Sequence, residues 1–177
     1  TVEKIRAEEV IPPADFILVF GDGFGHDSYL RWEKPLLRVF PGTSPQINFD
    51  PAWLSTRNRK AFLCFAGDGF ICKGGDLLCQ AFVAMPEYEP PICGPPSEPA
   101  FFETYGDTIT NAPNIHYEGF VAVGESRFNW LTEYCSYVIF NSAAESCATS
   151  VATVMRAGLL PILNVETGIN IDGFGIW

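Results

Sequence analysis

The chain has 177 residues, enough for one domain with a sizeable core, or one domain and an appendage. Apolar residues make up 47% and charged residues 18%, which excludes a disordered chain. A formal net charge of −10 with no basic block argues against nucleic acid as a partner, because backbone binding needs Lys and Arg to replace counterions.

In chain order, the run 14–20, apolar but for Asp15, reads as a buried strand ending at Gly21-Asp22-Gly23. Residues 27–32 fit a short helix, and 36–40 a second strand closed by Pro41-Gly42. The stretch 43–53 is rich in Pro, Asn, Ser and Asp without periodicity, and reads as a linker. A regular alternation follows. Residues 61–66 form a strand, 67–74 a glycine-bearing loop, and 76–85 a helix with Leu77, Leu78, Ala81 and Phe82 at helical spacing. A short run at 91–94, a helix at 101–109 and a strand at 115–121 come next. A helix at 126–134, a strand at 137–140, a helix at 149–157 and a strand at 160–165 complete the series. Apolar strands without polar alternation mark a parallel sheet covered on both faces, so the expected fold is a doubly wound parallel α/β sheet. Ligands in such sheets bind at the carboxyl ends of the strands.

No apolar run reaches membrane-spanning length, no signal-peptide pattern is visible, and the ends at Thr1 and Trp177 read as cut. None of the six cysteines forms a CxxC pair and most sit in apolar runs, so reduced, buried thiols in a cytosolic protein are expected rather than zinc or disulfides.

Two loops are candidates for chemistry. The turn from Gly67 through Gly69 to Gly74 places glycine amides and the Lys73 ammonium before a helix N-terminus, a phosphate cradle or simply a tight turn. It is not a Walker A loop, and Gly21-Asp22-Gly23-Phe24-Gly25 lacks the dinucleotide fingerprint. Residues 141–151 end a strand in small polar residues and open a helix at once, with Glu145 at the junction, either a ligand contact or a first-turn carboxylate favoured by the helix dipole. His116 reads as a satisfied structural residue, His26 falls in the first segment, and no serine–histidine–aspartate set can be assembled. No carboxylate cluster has metal-ligand spacing, so no metal cofactor is expected.

Four blocks in order carry a family resemblance: 62–78, 113–121, Ser142-Ala143-Ala144-Glu145 with Ser150-Val151, and 155–168 with its Glu166-Thr167-Gly168. Across residues 60–171 the chain resembles the C-terminal, donor-binding domain of retaining, metal-independent GT-B glycosyltransferases of the group 1, or family 4, class. The resemblance implies two regions: 1–53, the tail of an N-terminal acceptor-side domain plus linker, and 54–177, the nucleotide-sugar-binding domain. It implies a nucleotide-sugar donor and, as partner, the N-terminal domain of the same polypeptide. Lys73 would contact the diphosphate, the backbone at Phe120 and Val121 the base, and Glu145 the hydroxyls of the transferred sugar. Gly67, Gly69, Gly94, Ser142, Ser146, Cys147, Ala148, Ser150 and Thr153 would complete the donor site. The family pattern has a second glutamate where Thr153 stands and an arginine where Asp68 stands. Those departures keep open an alternative, a non-catalytic module of the same fold used for protein interaction.

Overall fold

The computed structural model describes residues 7–22, 24–40, 42–45, 47 and 49–177; Gly23 and the side chains of Phe24 and His26 lie outside that set. After a short helix α1 (Ala7–Val10), strand β1 (Ile17–Phe20), helix α2 (Phe24–Tyr29) and strand β2 (Leu36–Val39) form a two-stranded parallel ribbon. The run 14–20, expected to be a buried strand, is shorter and largely exposed: Phe16, Leu18 and Phe20 are each about half exposed, and Val19 turns inward. The ladder begins only where β2 lies alongside, with the Ile17 amide donating to Pro35. Strand alternation then puts residues 16, 18 and 20 on one side, with Leu37 and Val39 of β2, and no layer of the described residues covers that side.

The chain reaches the larger unit through a 3-10 turn at Pro51–Ser55, where the Asp50 carboxylate accepts from the Ala52 amide. That unit is a five-stranded parallel sheet in the order β5-β4-β3-β6-β7, built from β3 (Asn58–Phe65), β4 (Pro91–Cys93), β5 (His116–Gly119), β6 (Cys135–Phe140) and β7 (Leu160–Leu163). Helices α3 (Gly75–Val83), α4 (Pro99–Asn111), α5 (Ser126–Tyr134) and α6 (Thr149–Arg156) alternate with the strands, as expected. The order reverses between β3 and β6. Right-handed crossovers running opposite ways from that point place their helices on opposite faces. The side chains agree: Phe62 of β3 meets Phe82 of α3, whereas Phe65 meets Phe128 of α5.

The core is continuous across both faces, from Leu63, Cys64 and Ile92 to Leu131, Val138, Val151 and Val154. Cys64, Cys79, Cys93 and Cys135 are buried free thiols, as expected; Cys72 is exposed and Cys147 partly so. On the α3 face, coverage stops short of β6 and β7, leaving an apolar groove of about 460 Å³ lined by Phe62, Leu77, Ala81, Ile139 and Ile162. No helix of the described residues is long and apolar enough to cross a membrane.

Two expectations around β5 are corrected. The strand ends at Gly119 rather than 121, because that residue takes φ 68° and turns the chain out of the sheet. His116, expected to be a satisfied structural residue, is exposed on the edge strand.

Candidate functional site

The site forms where β3 and β6 diverge. The loop after β3 closes at Gly74, whose φ of 74° provides the left-handed N-cap of α3. A side chain at Gly74 would run into the Asn141 backbone, with the carbonyl carbon 3.0 Å from its Cβ. This close approach presses the β3 loop onto the end of β6, and further bonds lock it there: the Ala143 amide and the Ser142 hydroxyl both donate to the Cys72 carbonyl, at 2.7 and 3.2 Å. The consequence is that Lys73 and Glu145, 72 positions apart, form an ion pair with Nζ to Oε1 at 2.8 Å. Both side chains retain about a fifth of their exposure, so a ligand can reach them.

The segment from Glu145 to Ala148 is held by the loop following β7. Glu145 donates its amide to the Glu166 carbonyl and Ala148 to Thr167, both at 2.9 Å, while the Asn164 side chain donates to Ser142 O at 2.7 Å. Asn164 Oδ1 and Glu166 Oε2 are buried acceptors without a protein donor. Helix α6 then starts at Thr149 with no side-chain cap, which leaves its first amides pointing outward with partial positive charge.

A pocket of about 270 Å³ opens beside this helix start and gathers Gly67, Gly94, Phe120, Val121, Ser150 and Thr153. Six residues named from the sequence as donor contacts thus share one crevice. Its floor is tied by the Ala66 amide to Cys93 O at 2.9 Å and the Gly94 amide to Gly119 O at 2.8 Å, with the Tyr117 hydroxyl donating to Gly94 O. A side chain at Gly94 would meet the Phe70 ring at 2.6 Å, so the pocket wall is bare backbone there. Phe120 is 74% exposed at the rim, and Val121 is buried beneath it.

Other expected contacts sit differently. Gly69 turns the β3 loop at φ 82°. The Ser142 hydroxyl is buried in its bond to Cys72, and Ala148 is buried with its amide spent on Thr167, so both position the loops. Ser146 is exposed, and Cys147 is partly buried, its thiol pushed up by burial and by the Glu145 carboxylate. Part of the expected cradle of glycine-loop amides is spent within the fold. The amides of Lys73, Gly74 and Gly75 bond within the turn, and that of Ile71 donates to Glu98 Oε2 at 3.1 Å. Asp68 is likewise engaged, accepting from the Ser97 hydroxyl at 2.6 Å. The Lys73 ammonium and the uncapped start of α6 are two donors suited to an anion.

Three features escaped the sequence reading. Arg57 is buried before β3 and donates to Thr132, Ala157 and Gly158 carbonyls, fastening the C-terminal ends of α5 and α6. Glu98 closes the β3 loop from the β4–α4 connection. Gly21 packs against Ser146, Cys147 and Gly168, bringing the tip of β1 to the same site. The sequence marks Gly21 as the end of a strand, but its contact with Gly168 leaves no local trace.

This arrangement of sheet, reversal point and crevice is the Rossmann-like fold of GT-B glycosyltransferases. The solved structures that share it include Anabaena Alr3699/HepE in complex with UDP-glucose, 15% identical, with a TM-score of 0.65 over 85% of this chain and 44% of that one. The catalytic domain of starch synthase IV from Arabidopsis thaliana, bound to ADP and acarbose, is 14% identical, with a TM-score of 0.64 over 92% and 43%. TarM is 14% identical, with a TM-score of 0.66 over 96% and 35%. The chain therefore spans less than half the length of each of these proteins. No family model and no curated protein matches the sequence.

Proposed function

We propose that this chain is the donor-binding part of a glycosyltransferase that transfers a sugar from a nucleotide-sugar with retained anomeric configuration and without a metal. The observation that carries the reading is the Lys73–Glu145 ion pair, with the uncapped start of α6 four positions on from Glu145 and a crevice beside that start. An incoming diphosphate competes with Glu145 for the Lys73 ammonium. Released from the pair, the Glu145 carboxylate accepts hydrogen bonds from the sugar hydroxyls. As the anomeric carbon–oxygen bond breaks, negative charge grows on the diphosphate, where Lys73 and the α6 amides stabilise it. Structures of the same fold with UDP-glucose and with ADP support a nucleotide donor.

The acceptor side would come from further sequence of the same polypeptide. The β1–β2 ribbon supports this, because parallel sheets are ordinarily covered on both faces and this one exposes Phe16, Leu18, Phe20 and Leu37. The test is sugar transfer by the full-length protein with UDP-, GDP- and ADP-sugars in the presence of a chelator, with product configuration read by NMR. Lys73→Ala and Glu145→Ala should each lower turnover on the order of 100-fold or more. Binding of none of these donors would overturn the reading. The engaged loop amides favour a second one, a non-catalytic module of this fold. Under it the two substitutions would leave the protein's biological output unchanged.

A further inference from the structure

The crevice beside α6 has an unusual chemistry for a site facing a nucleotide. Among the described residues, none of those lining it is charged: its polar groups are the hydroxyls of Thr149, Ser150 and Thr153 and bare backbone at Gly67 and Gly94. Its one ionisable side chain, Cys93, is a buried thiol that burial keeps protonated. Thr153 has already committed its proton, with Oγ1 donating to the Thr149 carbonyl at 2.7 Å, so it offers only lone pairs. Ser150 retains a hydroxyl that can donate or accept. The rim is the exposed ring of Phe120, an apolar plane for a base.

Neutral hydrogen bonds in an open crevice discriminate weakly. A missing ligand hydroxyl is replaced by water, and the net loss is about tenfold at most. A buried, charge-assisted contact would discriminate far more strongly. We infer that the nucleoside end of the donor is held by neutral contacts alone, so that ribo- and 2′-deoxyribonucleotides bind within about tenfold of each other. This rests on the donor reading and adds to it a substrate tolerance set at Thr153 and Ser150.

Calorimetric titration of the full-length protein with UDP, GDP and ADP, and with their 2′-deoxy counterparts, tests it. For whichever base binds, the ribo and deoxy forms should differ by less than about tenfold. Thr153→Glu should raise that ratio above tenfold, because its carboxylate would accept charge-assisted bonds from the two ribose hydroxyls. A ribo preference beyond tenfold in the unsubstituted protein overturns the inference and leaves the donor reading standing. So does an unchanged ratio in a Thr153→Glu protein that still binds, since the ribose would then lie elsewhere. Should that variant fail to fold, the unsubstituted comparison still decides. Binding of none of the six removes the donor reading itself, and this inference with it.

Discussion

The Asp22 amide donates to the Gly168 carbonyl at 2.9 Å, joining the tip of β1 to the loop that follows β7. Gly168 itself sits at φ 68°, and a Cβ there would lie 2.6 Å from the Ser146 carbonyl carbon. Gly168→Ala therefore incurs both a left-handed backbone strain and a backbone collision. We expect a loss of more than about 2 kcal/mol in urea unfolding, with faster hydrogen exchange across residues 144–150.

Arg57 is only 7% exposed and serves carbonyls from the ends of two helices. Burial lowers its pKa from the ordinary arginine value, yet the guanidinium remains charged at neutral pH. Removing it strands the carbonyls of Thr132, Ala157 and Gly158. Arg57→Ala should cost about 3 kcal/mol in urea unfolding. Arg57→Lys should recover only part, because one ammonium cannot reproduce the planar fork.

Gly74 sets the distance between Lys73 and Glu145 by letting the β3 loop touch the Asn141 backbone. Gly74→Ala should push the loop away from β6 and displace the ammonium. Under the donor reading, turnover should fall on the order of 100-fold, the scale associated with a misplacement of about 1 Å. Steady-state kinetics of the full-length variant, compared with its unfolding midpoint, separates this from simple instability.

Thiol chemistry offers a check on the core. Only Cys72 is exposed, with Cys147 half-buried, so a thiol reagent at pH 8 should label Cys72 quickly, Cys147 slowly, and the other four only in denaturant. Burial pushes Cys64 and Cys135 up to about 12 and Cys79 up to about 11, from an ordinary 9.0. Above pH 9.0 the unfolded chain loses protons that the folded chain keeps, so stability present below that value declines as pH rises toward about 11–12. Thermal midpoints at pH 8 and pH 10 should differ in that direction; an unchanged or higher midpoint at pH 10 would contradict the burial of these thiols.

The sheet was legible because strands in the interior of a parallel sheet write themselves as unbroken apolar runs, as at 61–66 and 137–140. The same rule misjudged 14–20, where an apolar run belongs to a ribbon with an open side. Lys73 and Glu145 could be named because each follows a strand end, and strand ends are where such sheets bind. The spending of backbone donors could not be read locally. The partner of the Ile71 amide is Glu98, 27 positions on, and Arg57 reaches carbonyls 75 to 101 positions away. Such bonds leave no periodic trace. His116 misled for a related reason, since whether β5 lies at an edge depends on the whole strand order.

That strand order has an evolutionary corollary. Because the chain changes direction between β3 and β6, the two neighbouring helices are drawn apart there whatever residues they carry. The location of a binding cleft is thus inherited from the path of the backbone, whereas its selectivity is free to drift with a handful of side chains. A lineage can exchange carboxylates for hydroxyls at the cleft wall and change what it accepts without having to move the cleft.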